Sequence, residues 1–269
     1  MPTPTITRQR PYNWGPDWTL SPSGLCLQHR GLSSFHGLVH GFSLRHHPTS
    51  EKELDLGSHS APSSPEVKRL RNNFVISLSS NPMQLVLLRQ YHSVQIHCLD
   101  RISFGDQIQR GDALITRVPQ LLLAVQVADC LPLLIADEAS GVVAAIHAGW
   151  RGLLGGIVPK TLARMHAQYN CNPRHCVAVV GPCIGPCCYQ VSNELATAFE
   201  VAFGSRAPRA SNYLDLPAIC RWQLEAAGLQ DSLIFSNPPC TSCQRDMFFS
   251  YRADQGTTGR MLAVIGKLS

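Results

Sequence analysis

What the chain has little of narrows the field first. Charged residues make up only 15% of its 269 positions and aromatic residues 7%, against 44% hydrophobic residues. That balance excludes a disordered, self-repelling polymer. The 23 Lys and Arg are scattered, with no run of five or six. Their densest cluster, Lys68-Arg69-Leu70-Arg71, reads as a solvated helix face, so no nucleic-acid partner is expected. No apolar stretch exceeds strand length, because Asp129, Pro132 and Asp137 interrupt the longest ones. No membrane partner is expected either. The segment from Met1 to Gly15 is polar and carries Pro and Thr, without the apolar run that export requires. Internal repeats are absent.

Cysteine, by contrast, is abundant, with 11 residues. In a short exported chain this would signal a disulfide framework. In a long chain with an odd count and no export segment, most of them read as reduced, small core residues of a soluble cytoplasmic protein. A chain of this length buries roughly three-quarters of its unfolded surface and needs no staples. The Pro-punctuated residues 1–30 are expected to be an irregular N-terminal segment, and residues 31–269 a single catalytic domain.

Patterning supplies the elements. Residues 37–43 and 84–89 read as strands, 66–74 as a short helix, and the polar stretch 46–65 as a long surface loop. Residues 121–127, 131–136 and 142–146 are apolar runs of strand length, with both faces expected to be covered. Residues 137–141 suit a hairpin loop between the last two, which makes the sheet mixed. A helical spacing follows Gly149, and Pro159 within it implies a kink or a later helix start. Residues 176–180, 233–236 and 261–266 complete the strands. Ser192 and Asp215 cap two further helices.

Three side chains stand out chemically. Cys130 lies between two strands, and His147 ends the next one. If the hairpin forms, both reach one edge of the sheet, where a helix start offers unpaired N–H groups to an anion. His92, in Gln90-Tyr-His-Ser93, supplies a third vertex. One thiolate and two imidazoles would hold zinc and leave a fourth position open, the pattern of a catalytic site. Spacing alone leaves the blander alternative open: a buried structural thiol and a satisfied core histidine. His97 is a nearby competitor without a comparable partner.

Five ordered motifs then carry a resemblance: Asp112-Ala-Leu-Ile-Thr116, Ala128-Asp-Cys130, His147-Ala-Gly-Trp-Arg-Gly152, Gly181-Pro-Cys-Ile-Gly-Pro-Cys-Cys-Tyr189 and Phe248-Phe-Ser-Tyr-Arg252. From about Gly37 to the C-terminus the chain resembles the laccase-domain or YfiH-like family, also called the multicopper polyphenol oxidase family. The resemblance implies an α/β fold, an α/β/α sandwich around a mixed β-sheet, with zinc held by His92, Cys130 and His147. It implies phosphorolysis of purine nucleosides, methylthioadenosine included, with adenosine deamination beside it; the partners are a purine nucleoside and inorganic phosphate. Copper-dependent phenol oxidation travels with the family name, and some relatives are linked to editing of peptidoglycan precursors. The chain departs from the family at Ser43-Leu-Arg45-His-His-Pro and Asp55-Leu-Gly57, where the usual glycines and an Asn are replaced. An Asp facing phosphate there would repel it.

The expected pocket is walled by Trp150 and the loop from Gly181 to Tyr189, with Gly181 and Gly185 admitting a ligand close to the backbone. Arg151, and more weakly Arg45, would hold an anion through forked donors. Asp129 is either a proton shuttle or an orienting partner. A metal-free alternative uses Cys130 as nucleophile and His147 as its base. Copper is disfavoured because no Met lies in a metal motif and His46-His47 is the only histidine pair. Pro239-Cys-Thr-Ser-Cys243 matches half of a nucleobase-deaminase signature, but no His in the chain has Glu two places later. Cys240 and Cys243 are then expected to pack or form a redox dithiol. Cys183, Cys187 and Cys188 are expected to pack beneath a turn, without further ligands at metal-binding spacing.

Overall fold

The computed structural model describes residues 14–47, 52–57, 64–101, 109–204 and 212–268. In chain order the elements are β1 (Trp18–Leu20), β2 (Cys26–His29), α1 (Arg30–Ser33), β3 (Leu38–Ser43), α2 (Pro65–Leu78), β4 (Gln84–Leu87), β5 (Ile96–Leu99) and β6 (Ala113–Thr116). They continue with β7 (Leu121–Val127), β8 (Leu131–Asp137), β9 (Val142–Ala148), α3 (Trp150–Leu154), α4 (Ile157–Tyr169) and β10 (Val177–Val180). The last are α5 (Asn193–Phe203), α6 (Leu216–Ala226), β11 (Ile234–Phe235) and β12 (Met261–Lys267).

The strands form two six-stranded mixed sheets rather than one, ordered β1-β2-β3-β12-β7-β4 and β11-β10-β8-β9-β6-β5. Alternation along each strand explains the doubling. In β7, Leu123, Val125 and Val127 face the second sheet, while Leu122 and Ala124 face α2. In β8 and β9, Leu134, Ala136, Val143 and Ala145 face the first sheet; Leu133, Ile135, Ala144 and Ile146 pack beneath α3 to α6. Strands buried on both faces must be apolar throughout, which is why these runs carry no polar period. Helices lie on both outer faces, as expected of an α/β sandwich, and a second apolar layer separates the sheets.

Local chemistry places the helices. Ser64 Oγ accepts from Val67 N with Pro65 opening α2, Ser192 Oγ accepts from Leu195 N before α5, and Asp215 does the same for Ala218 N before α6. After β9 the helical run breaks at Gly155 and Gly156, the latter with φ of 72°. Pro159 therefore falls in the first turn of α4, where its missing N–H costs nothing.

Two expectations need correction. Residues 1–30 are not irregular throughout: Trp18–Leu20 and Cys26–His29 pair antiparallel and extend the first sheet through β3. Their signal is short and Pro-flanked, so tertiary pairing decides them. Much of the 46–65 loop lies outside the described residues, but Leu54 and Leu56 are buried beneath α2, so it is not purely a surface loop. No helix among the described residues is long and apolar enough to cross a membrane.

Candidate metal centre and active site

Register brings the candidate residues to one end of the second sheet. Leu131 pairs with Ala148 and Pro132 with His147 across the β8–β9 hairpin, so Cys130 and His147 are near neighbours. Strand β6 lies on the other side of β9, with Ala113 opposite Ile146, which sets Asp112 beside His147. The third vertex comes from elsewhere. Strand β4 belongs to the first sheet and β5 to the second, and His92 sits in the crossing between them. Gln90 anchors that crossing: its side-chain amide donates to Gln126 O at 2.8 Å and accepts from Gln126 N at 2.7 Å.

The ligand atoms of His92, Cys130 and His147 lie within 4.8 Å of one another, graded from exposed through half-buried to buried. Cys130 Sγ is 3.7 Å from His92 Nε2, and the two imidazoles meet edge to face at 4.9 Å. Gly149 closes the cluster. A Cβ there would stand 3.0 Å from His92 Cδ2 and 3.3 Å from Cys130 Sγ, so glycine keeps the space open without displacing either side chain. His92 and Asp129 both have positive φ, 62° and 84°. Two such non-glycine residues at one centre cost about 1–3 kcal/mol each and are held by their surroundings.

Asp112, which sequence reasoning left inside a motif without a role, is the principal support. Fully buried, it accepts from His147 Nδ1 at 2.8 Å, Ser93 Oγ at 2.6 Å, Ser93 N at 2.7 Å, His92 N at 3.1 Å and Tyr91 N at 3.4 Å. It thus pins the tautomer of one ligand, with the proton on Nδ1, and the backbone of another. Its legible signal was an acid directly before the apolar run of β6. Burial opposes ionisation, but the hydrogen bonds from His147 and Ser93 hold its carboxyl down at about 2. Burial alone would likewise push the Cys130 thiol up and the His147 imidazole down. Their mutual attraction prevails, with help from His92 and Asp112: the thiol falls to about 6 and the imidazole rises to about 9.

The remaining candidates divide. Arg151 stacks on Trp150 at 4.0 Å at the start of α3 and has no carboxylate partner among the described residues. Tyr189 lies near Cys130, with burial and that neighbour raising its hydroxyl to about 12, and Arg252 lies over its ring. Both oxygens of Asp129 are engaged, by Thr241 Oγ1 and by Arg252 N, each at 2.6 Å, while its carbonyl accepts from Ile184 N. That arrangement orients loops and does not present a proton shuttle.

Arg45 is not available to an anion. Its guanidinium donates to Glu53, to Asp254 at 3.1 Å and to the carbonyl of Arg245. Asp55 Oδ1 accepts from Gly57 N and Arg260 N. The space beside Gly181 is also occupied by protein. A Cβ at Gly181 would collide with Phe42 at 2.0 Å, and one at Gly185 would meet Cys187 Sγ and Cys240 at 3.4 Å. Gly181 therefore serves packing, whereas the contacts at Gly185 are ordinary ones. Cys183 is buried as expected, but Cys187 and Cys188 meet Cys240 and Cys243, which no spacing in the sequence could reveal.

The fold and these residues define a two-sheet α/β protein with a three-donor Cys–His–His centre open to solvent on its His92 side. The chain belongs to the family described as Multi-copper polyphenol oxidoreductase laccase, whose pattern residues 39–267 match. It is 32% identical over 254 residues to the purine nucleoside phosphorylase YlmD of Geobacillus stearothermophilus, covering 88% of this chain and 93% of that protein. Against the purine nucleoside phosphorylase YfiH of Escherichia coli K12 the identity is 34% over 218 residues, 79% of this chain and 85% of that one. The crystal structure of YlmD from Geobacillus stearothermophilus superposes with a TM-score of 0.80 at 31% identity, covering 91% of this chain and 96% of that chain.

Proposed function

We propose that this protein is a zinc-dependent purine nucleoside phosphorylase, cleaving adenosine, inosine, guanosine or methylthioadenosine with inorganic phosphate. The observation that carries this reading is the meeting of His92, Cys130 and His147 in front of Asp112. The names of the relatives, purine nucleoside phosphorylases among them, supply the substrate class.

The donors suit zinc. Zn–S of ~2.3 Å and Zn–N of ~2.0–2.1 Å in a tetrahedron require S and N about 3.6 Å apart; Cys130 Sγ and His92 Nε2 are 3.7 Å apart. With Nδ1 of His147 given to Asp112, its Nε2 is left for a metal, and the absent Cβ of Gly149 keeps the space clear. When bound, zinc supplies Lewis acidity to a substrate atom in the open position. A copper centre of the multicopper kind would need more imidazoles, and among the described residues no third histidine joins this cluster.

The chain's own groups do the rest. Trp150 offers a flat face at the mouth, and the guanidinium stacked on it presents forked donors to a phosphate. Tyr189, with Arg252 over its ring, stands near Cys130 as a further wall of the site. A phosphate oxygen bonds to ribose C1′ as the C1′–N9 bond breaks, and the purine leaves with that electron pair. Hydrogen phosphate loses its proton and the purine gains one, leaving the free base and the 1-phosphate of the substrate's sugar. Arg151 favours this step by holding the phosphate against C1′, which turns a bimolecular encounter into an oriented one. Deamination of adenosine, the activity proposed beside it, would need a proton shuttle that Asp129, with both oxygens engaged, does not supply.

One other reading has a specific observation behind it. The Cys130–His147–Asp112 line would serve a metal-free thiol nucleophile equally well. Incubating zinc-replete protein with adenosine and phosphate, and separating adenine, inosine and hypoxanthine by chromatography, decides the matter. Adenine that requires phosphate and vanishes on chelation or in His92→Ala supports the phosphorylase. Turnover surviving both treatments supports the thiol enzyme, and no product above a Cys130→Ala control sinks the phosphorylase.

A further inference from the structure

Cys187, Cys188, Cys240 and Cys243 arrive from two loops far apart in the chain (the separations are 56 for Cys187–Cys243 and 55 for Cys188–Cys243). Their four sulfurs lie within 4.8 Å of one another, and Cys243 Sγ is 3.4 Å from both Cys187 Sγ and Cys188 Sγ. A tetrahedral tetrathiolate zinc site with Zn–S of ~2.3 Å has sulfurs about 3.8 Å apart along every edge. The observed spacing brackets that value. All four thiols are unbridged.

The surroundings are those of a metal knuckle rather than of casual packing. The Cys240-Thr-Ser-Cys243 segment bends into a turn closed by Gln244 N donating to Cys240 O, so both sulfurs point the same way. Gly185 N donates to Cys240 Sγ at 3.2 Å, a contact that favours a thiolate. The loops are laced together next to the cluster by a parallel bridge between Cys183 and Cys240, with Thr241 N donating to Cys183 O and Cys183 N to Pro239 O. Two of the four residues are exposed and two half-buried, whereas structural thiols that only pack, such as Cys176 and Cys220, are buried.

We propose that these four cysteines form a second metal centre, a closed tetrathiolate zinc site that clamps the 181–189 and 239–254 loops together. With all four positions filled by protein it has no place for a substrate, so its role is structural. Its neighbours are the walls of the first centre. Thr241, between two of the cysteines, donates to Asp129; Cys188 O accepts from Arg252, whose N–H binds the same Asp129. The clamp therefore holds Tyr189, Arg252 and the Asp129–Cys130 step in one arrangement. This inference stands on the sulfur geometry and is independent of the reaction proposed above.

The test counts metal in the full chain, purified under reducing conditions without added metal. Two zinc ions per chain are expected for the wild type, one for Cys240→Ser/Cys243→Ser and one for His92→Ala. Replacement of zinc by cobalt gives a second readout on unaltered protein. The thiolate-to-cobalt charge-transfer band of the wild type should be about fivefold that of the double cysteine variant, since thiolate ligands fall from five to one. If that variant fails to fold, the native protein still answers through thiol titration. Cys187 and Cys243 are exposed and should nevertheless resist a thiol reagent until a chelator is added. One zinc per chain in wild type and double variant alike would overturn the proposal. So would immediate reaction of the exposed thiols, or a disulfide among the four in place of metal.

Discussion

Replacing Asp112 with Asn keeps the shape of a fully buried side chain and removes its charge. Asp112 presently accepts from His147 Nδ1 on one oxygen and from Ser93 N and Oγ on the other. An amide offers one oxygen and one NH2. If the oxygen stays with Ser93, the NH2 faces His147 Nδ1 and drives the imidazole proton to Nε2, the atom needed for a metal. If the oxygen turns to His147, the NH2 opposes the Ser93 N–H in a buried site. The first outcome predicts a 10–100-fold loss of metal affinity, which is the usual cost of losing such a partner and equals about 1.4–2.7 kcal/mol. The second predicts about 2–4 kcal/mol of lost stability in metal-free protein, since a charged hydrogen bond is lost and a buried donor is left unpaired. Competition with a chromogenic chelator measures the first quantity, and urea unfolding of the metal-free chain the second. An Asp112→Asn variant that matched the wild type within a factor of two in affinity, and within about 0.5 kcal/mol in stability, would refute the role given to this carboxylate.

Other substitutions probe different parts of the site. Gly149→Ala puts a methyl 3.0 Å from His92 and 3.3 Å from Cys130; a drop in kcat/KM of about tenfold or more, with a shift in unfolding free energy of about 1 kcal/mol, is expected from activity and melting measurements. Arg151→Ala should raise the KM for phosphate by about tenfold, the loss of one charge-assisted contact, and leave nucleoside binding nearly unchanged; equal changes in both KM values would contradict it. Stability should also depend on pH through two buried histidines outside the site. His40 Nε2 accepts from His29 N at 2.9 Å, and His29 Nδ1 accepts from Gly31 N at 3.1 Å, so both rings must be neutral. Burial pushes each from 6.5 down to about 4, with His29 adding to the effect on His40 and Asp17 partly opposing it on His29. The unfolded chain therefore binds more protons between these values. Stability is complete above about pH 6.5 and falls as the pH drops towards 4, by up to about 1.4 kcal/mol per pH unit for each histidine. Urea midpoints that stay level across that window would rule this out.

The strands of the two-sided core were legible because burial on both faces leaves no alternative to an apolar run, as in Leu121–Val127 and Leu131–Asp137. Their division between two sheets was not legible, since 122 and 123 are both Leu and differ only in which layer they meet. Short strands such as Trp18–Leu20 carry too few residues for a period and were missed. At the site, His92, Cys130 and His147 were nameable from motif and spacing, yet only the fold shows that their ligand atoms lie within 4.8 Å of one another. Arg45 and Arg151 look alike as candidate anion holders. The difference between them lies in Glu53 and Asp254, carboxylates that fold onto one and not the other.

What the amino-acid order determined by itself was composition class, the β8–β9 hairpin and the helix caps, all properties set by neighbours within a few residues, together with the motifs that single out His92, Cys130 and His147 as candidates. The tertiary structure alone decided what lies across long separations. It placed Asp112 behind His147, turned Asp129 towards Thr241 and Arg252, filled the space over Gly181 with Phe42, and gathered Cys187 and Cys188 with Cys240 and Cys243. The physical reason is that a hydrogen bond or a ligand field acts over about 3 Å of space, and sequence distance says nothing about which residues the packing of two sheets will bring that close.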